Sequence, residues 1–180
     1  MNRYALILLA VVYGSFNMLA QTKEWKKSPG GDEIISISHS VPSESKTIRT
    51  EIHCTGLENN LLGDSPEREV IIYLPPGYEN SLNQHYPVIY FLHGYTQQPG
   101  HWLGLFADIP RIMDTLVNHN KIIPMIVVLP NSCNKYRGSY YTNSPVTGNW
   151  EDFIVDNLVQ YIDSNFRTLP QAESRGIAGH

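Results

Sequence analysis

Cysteine is almost missing from this chain: only Cys54 and Cys133 carry a thiol among its 180 residues. Two cysteines are too few for the multi-bridge framework of a small disulfide-stapled domain. Whether they pair with each other stays open, because sequence does not give their separation in space. Two small buried side chains are the simpler alternative. Positive charge is scarce as well. Thirteen Lys and Arg stand against seventeen Asp and Glu, for a formal charge of −4. No basic stripe interrupts that balance, so a nucleic-acid partner is not expected. The histidines show neither H-x-x-x-H nor H-E pairing and the cysteines lie far apart, which leaves no metal-ligand spacing. No glycine loop of the phosphate-cradling kind appears, so no cofactor is expected. The apolar run Tyr4–Val12 is too short for a membrane span, which takes roughly 20 residues.

What is present begins with a leader pattern. Arg3, the apolar run and a small-residue stretch ending at Ala20 have the layout of an export signal, predicted over residues 1–20. An uncleaved anchor or a buried helix is the alternative. Export implies a secreted or periplasmic protein, with no membrane attachment once the signal is removed. Residues 21–45 are polar and lysine-bearing, and predict a flexible segment. The rest, 46–180, fits one domain: 42% hydrophobic and 17% charged residues are the proportions of a globular chain.

Within it, Ile48, Thr50, Ile52 and Cys54 alternate with Arg49, Glu51 and His53, the period of a half-buried strand. "EVIIYLP" (Glu69 to Pro75) predicts a second strand, antiparallel to the first across a turn-rich link. "YPVIYFLHG" (Tyr86 to Gly94) and "PMIVVLPN" (Pro124 to Asn131) are continuous apolar runs, as in strands covered on both faces. Between them Ile109, Ile112, Met113, Leu116 and Val117 make one helical face, with Asp108 as cap and Pro110 in the first turn. Strand, helix, strand gives a parallel crossover. Phe153, Ile154, Leu158, Tyr161 and Ile162 form the stripe of another helix, with Trp150 one turn earlier and Asn149/Asp152 resembling a capping box. "RGIAGH" then predicts a short buried strand running into a tight turn. The sum is an α/β architecture with a mostly parallel sheet and antiparallel N-terminal strands.

In open α/β sheets ligands bind beyond the carboxyl ends of the strands. The first such exit, "LHGYTQQPGHW", places His93-Gly94 in a sharp turn and offers the Tyr95 main-chain N–H as a donor for a developing oxyanion. Alternatively Gly94 only satisfies a turn and His93 is a buried, hydrogen-bonded imidazole. The loop Ser132–Trp150 is rich in aromatics. Tyr136, Tyr140, Tyr141 and Trp150 could face a sugar or phenolic ring, or pack onto the domain surface. Gly179-His180 supply the opening of G-x-S-x-G, the strained strand-to-helix turn that carries a nucleophilic serine. No serine of the chain sits at such a turn.

These blocks together carry a resemblance. "REVIIYLPPGYENSLNQHYPVIYFLHGYTQQ", "YYTNSPVTGNWEDFIVDNLVQYIDSNFRT" and "RGIAGH" resemble the putative-esterase family of α/β-hydrolases, which includes feruloyl and acetyl-xylan esterases, S-formylglutathione hydrolases and antigen-85-type mycolyltransferases. The likeness spans about residues 45–180, the N-terminal part of that fold up to the nucleophile elbow. It implies an exported serine esterase acting on acylated carbohydrate, with Tyr95 N–H in the oxyanion hole. His93, Gly94, Tyr140, Tyr141 and Trp150 would lie around the substrate, and Gly179 and His180 would open the elbow. The implied Ser-Asp-His triad falls outside these 180 residues, so the fragment alone is expected to be inactive. An acyltransferase on the same scaffold and a non-catalytic carbohydrate-binding protein are the alternatives. The oligomeric state is not legible.

Overall fold

The computed structural model describes residues 44–180. The predicted export signal and all but the end of the predicted flexible segment lie outside the described residues.

Five strands form one sheet: β1 (Lys46–His53), β2 (Glu67–Leu74), β3 (Val88–Leu92), β4 (Ile126–Pro130) and β7 (Arg175–Gly179), in spatial order β1-β2-β4-β3-β7. β5 (Asn143–Ser144) and β6 (Gly148–Asn149) make a separate small hairpin. β1 pairs antiparallel with β2, from Lys46 opposite Leu74 to His53 opposite Glu67. β2 lies antiparallel against β4, while β3 is parallel to both β4 and β7. The alternation read in β1 is seen as alternating burial, with Ile52 inward and Glu51 and His53 outward.

Each central strand serves two layers. Val70, Ile72 and Leu74 of β2 and Ile126 and Val128 of β4 join a core that includes Trp150, Phe153, Leu158 and Ile162. Their alternate neighbours Ile71, Tyr73, Val127 and Leu129 face the other way, onto Met113 and Ile109. The period-2 geometry of a strand forces this division. It explains why every β4 residue is buried.

Helix α1 (Ile109–Asn118) covers that second face. Its start is as read: the Asp108 carboxylate accepts the Arg111 N–H at 3.1 Å, and Pro110 sits in the first turn. The opposite face is covered by a helical stretch made of α2 (Trp150–Asp152), a π-helical segment (Phe153–Leu158) and α3 (Val159–Asn165). Its cap differs from the predicted Asn149/Asp152 box, since Asn149 makes no side-chain cap bond. Asn143 takes that place. The β5–β6 pairing sets it opposite Asn149, and its Oδ1 accepts from Glu151 N–H at 3.0 Å and Asp152 N–H at 3.3 Å.

A second difference concerns β7, predicted as buried. It is only partly covered, and Ile177 is 69% exposed. Among the described residues β7 pairs with β3 alone, so its outer edge stays open. Both thiols are free. Cys54 is buried with Sγ 3.2 Å from Asn157 Oδ1, and Cys133 is half-buried. Among the described residues no helix is long and apolar enough to cross a membrane.

Candidate active site

Two loops leave the sheet side by side because β3 and β7 are parallel neighbours with Leu92 directly opposite Gly179. His180 N–H then donates to Leu92 O at 3.3 Å, holding the turn after β7 against the end of β3. The approach requires glycine. A Cβ on Gly179 would stand 2.9 Å from Leu92 O, closer than real Cβ contacts. One on Gly94 would meet both Nδ1 and O of His180 at 3.0 Å. The His93-Gly94 turn and the Gly179-His180 turn are therefore in direct contact.

The first loop is fixed from several sides. Gly94 N–H donates to Gln97 Oε1 at 2.8 Å, and Gln97 N–H returns to Gly94 O at 3.1 Å. His93 is 3% exposed, and its Nε2 accepts the Ser132 N–H at 2.9 Å. An accepting Nε2 leaves the proton of a neutral ring on Nδ1, which lies 3.0 Å from Gly94 O. Burial pulls the imidazole pKa below its ordinary value, so the ring stays neutral near pH 7. Gly94 C=O and Tyr95 N–H belong to one planar trans peptide, whose two groups point in opposite directions. Anchoring that carbonyl therefore aims the Tyr95 N–H. Among the described residues this amide has no hydrogen-bond acceptor.

The second wall comes from the loop after β4. Arg68, buried on β2, donates from Nε to Asn131 O at 3.1 Å, from Nη2 to Cys133 O at 2.5 Å and from Nη1 to Ser65 O at 3.4 Å. Its guanidinium stacks over Trp150 at 4.8 Å from the ring centroid. This clamp places Ser132 beneath His93. Ser132 offers its amide rather than its hydroxyl, so the two do not form a nucleophile–base pair. Further along, Tyr140 and Tyr141 both have positive φ, 55° and 51°. Consecutive left-handed residues send the two rings to different tasks. Tyr140 stacks on Tyr95 with centroids 5.4 Å apart and an 18° interplanar angle. Tyr141 donates its hydroxyl to His93 O at 2.7 Å.

A cavity of about 270 Å³ results, bringing together His93, Gly94, Tyr95, Tyr140, Tyr141 and His180. Gly179 lies just behind, at the end of β7. Trp150 does not belong here and its predicted contact with substrate is corrected. It is fully buried, with its indole N–H donating to Thr147 O at 2.8 Å, because it opens the helical stripe that faces the core. His93 meets the cavity from beneath, both ring nitrogens already engaged. Gln97, Ser132, Arg68 and Gly138 were not singled out from sequence. A Cβ on Gly138 would stand 2.8 Å from Tyr95 Cδ2, so its small size lets that ring lie across the loop. The partners of Arg68, Ser132 and Gly138 are distant in sequence, while Gln97 closes a local turn onto Gly94.

Residues 65–180 match the sequence profile of the family described as "Putative esterase", well over half of the chain. The chain belongs to this family. A curated family relative, the endo-1,4-beta-xylanase/feruloyl esterase of Xylanibacter ruminicola, is 30% identical over 111 residues, covering 60% of this chain and 15% of its own length. Among solved structures a ferulic acid esterase superposes with a TM-score of 0.64 at 24% identity, over 76% of this chain and 50% of that one. A ferulic acid esterase of Anaeromyces mucronatus, in complex with ferulic acid, gives 0.57 at 19% identity, over 78% and 50%. These superpositions establish the fold as that of the α/β-hydrolases. The chain spans half the length of these solved structures and less than a quarter of the curated relatives it matches.

Proposed function

We propose that this chain carries the oxyanion side of a serine esterase active site, in an exported enzyme that hydrolyses acyl esters of carbohydrate such as feruloyl or acetyl esters. The observation that carries the reading is the Tyr95 peptide. Its carbonyl is tied down by His93 and Gln97, its N–H is uncommitted among the described residues, and it stands beside His180. Export rests on the leader pattern of residues 1–20, and the acyl class on the named activities of the relatives.

In the complete enzyme the family resemblance sets the nucleophilic serine directly after His180, with aspartate and histidine later in the sequence. The serine Oγ attacks the ester carbonyl carbon while the histidine takes its proton. The carbonyl oxygen becomes an oxyanion, accepting from Tyr95 N–H and from the amide after the serine. Collapse breaks the C–O bond, and the histidine returns the proton to the departing sugar alcohol. Water then attacks the acyl-enzyme by the same route, releasing the acid. A preset donor suits this chemistry because it needs no reorganisation as charge appears. The 270 Å³ cavity with its tyrosine walls is of a size for an aromatic acyl group.

The test compares hydrolysis of methyl ferulate and an aryl acetate by the 180-residue chain and by a polypeptide continued through the full family domain. Turnover is expected from the longer protein only, abolished by replacing the serine after His180. Serine-dependent turnover by the 180 residues alone would overturn the assignment.

A further inference from the structure

The two peptides on either side of Gly94 carry four polar groups, and three of them are held by hydrogen bonds. The fourth, the Tyr95 N–H, has no acceptor among the described residues. In the peptide that joins Gly94 to Tyr95, the carbonyl is taken by His93 Nδ1 and Gln97 N–H. In the peptide before it, Gly94 N–H donates to Gln97 Oε1 at 2.8 Å and His93 O accepts the Tyr141 hydroxyl at 2.7 Å. Glycine most needs such tethers, since without a Cβ its own torsions hold the two peptides loosely. His93 and Gln97 belong to the turn itself. Tyr141 reaches it from another loop.

That reach is built into the segment. Ser139 is buried, donates its N–H to Ser132 O at 3.2 Å and accepts the Tyr141 N–H on Oγ at 3.1 Å. The segment thereby closes on the residue beneath His93. Tyr141 itself has a φ of 51°, a left-handed conformation that is costly for a residue with a Cβ and persists where its surroundings impose it. Its ring stands edge-on to the His93 imidazole, with centroids 5.9 Å apart. A tyrosine hydroxyl has a single proton to donate, and His93 O takes it. None is left for a substrate or an oxyanion. Burial pushes the Tyr141 pKa above its ordinary value, so the donor stays protonated in neutral solution.

We propose that Tyr141 is a positioning residue, whose hydroxyl locks the His93–Gly94 peptide and through it aims the neighbouring Tyr95 N–H at the ester oxygen. The assignment rests on the esterase reading and gives Tyr141 a task other than touching the acyl group. The two roles differ in their kinetics. The oxyanion is common to all esters and forms only in the transition state, so losing the tether falls on every ester alike and on kcat. Losing an aromatic contact would fall on a feruloyl ester alone, through KM.

The experiment uses the polypeptide carrying the full family domain, with methyl ferulate and an aryl acetate as substrates. Tyr141→Phe keeps the ring and removes the hydroxyl. It is expected to lower kcat for both esters by one shared factor, roughly 10–100-fold, with KM changed by less than about twofold. Affinity for a boronic acid, whose tetrahedral adduct on the serine puts an oxygen at the oxyanion position, should fall in step with kcat. Affinity for ferulate, the product, should not change. Ser139→Ala, which frees the Tyr141 N–H, should act in the same direction more weakly. A Tyr141→Phe enzyme that keeps kcat on the aryl acetate within about twofold, whether its KM for methyl ferulate rises or only its melting temperature falls, would overturn the proposal. If the wild type hydrolyses neither ester, the esterase reading fails. Amide hydrogen exchange followed by NMR then decides the tether separately: faster exchange of the Gly94 N–H in Tyr141→Phe supports it, and an unchanged rate overturns it.

Discussion

Replacing His93 with leucine separates packing from aim. The leucine fills most of the ring's volume but removes both nitrogens. Ser132, 1% exposed, then keeps a buried N–H without its acceptor, and Gly94 O loses one of its two donors. An unmatched buried donor costs about 1–3 kcal/mol. For a complete domain of this fold that is a fall in melting temperature of roughly 2–12 °C. The kinetic effect follows a different route. Freed of one tether, the Gly94–Tyr95 peptide can rotate, taking the N–H off the proposed oxyanion position. Loss of one such donor lowers kcat by about 10²–10³. KM should hardly change, because the donor acts on charge that appears only in the transition state. The assay pairs calorimetric melts with steady-state hydrolysis of an aryl ester by the polypeptide carrying the complete domain. A variant that melts lower yet keeps kcat within about threefold would refute the reasoning. The Gln97 amide on Gly94 O would then suffice to hold the peptide, leaving His93 as mere packing.

The remaining predictions are briefer. Burial lowers the His93 pKa below the 6.5 of an unperturbed ring, so its contribution to stability is present above pH 6.5 and is lost as pH falls through the folded value. The exposed His53 behaves oppositely: hydrogen bonds that its ring donates to the Glu67 and Glu58 carboxylates raise its pKa, and its contribution is lost as pH rises through that value. Subtracting the stability–pH curve of His93→Leu from that of the wild type cancels His53 and should leave a slope of at most about 1.4 kcal/mol per pH unit below pH 6.5. A flat difference would contradict the buried neutral ring. Gly94→Ala, whose Cβ would press on His180 at 3.0 Å, should cost about 1–3 kcal/mol and roughly 10²-fold in kcat/KM, measured by melting and by ester hydrolysis. Ile177→Lys puts a charge on the open β7 edge. It should raise the monomeric fraction of the 180-residue chain in size-exclusion chromatography.

The architecture was legible where local pattern and burial agree. The alternation in β1, the apolar runs of β3 and β4 and the Asp108-Pro110 start of α1 all reflect short-range physics. Trp150 shows how a legible signal can be misassigned. It falls in helical step with Phe153, Ile154, Leu158 and Ile162, so its place in the core follows from spacing, yet its position beside a tyrosine-rich loop suggested a surface role. The Asn143 cap was hidden because it depends on the β5–β6 hairpin bringing a residue back to the helix start. The π-helical turn within 153–158 has no counterpart in the hydrophobic stripe. At the candidate site, Gly94, Tyr95 and His180 announce themselves through motif, whereas Arg68 and Ser132 act through contacts that only the folded sheet creates.

Pairing Leu92 with Gly179 makes the gap between the two turns a property of the ladder and not of either loop. A slip of one residue would set Ala178 or His180 opposite Leu92, where a Cβ at the place of Gly179 would stand 2.9 Å from Leu92 O, so a missing side chain polices the spacing. The tyrosine-bearing segment after β4 is pinned to that frame at Ser132 and Tyr141, and what lies between those tethers can be rewritten while the spacing beside it is kept.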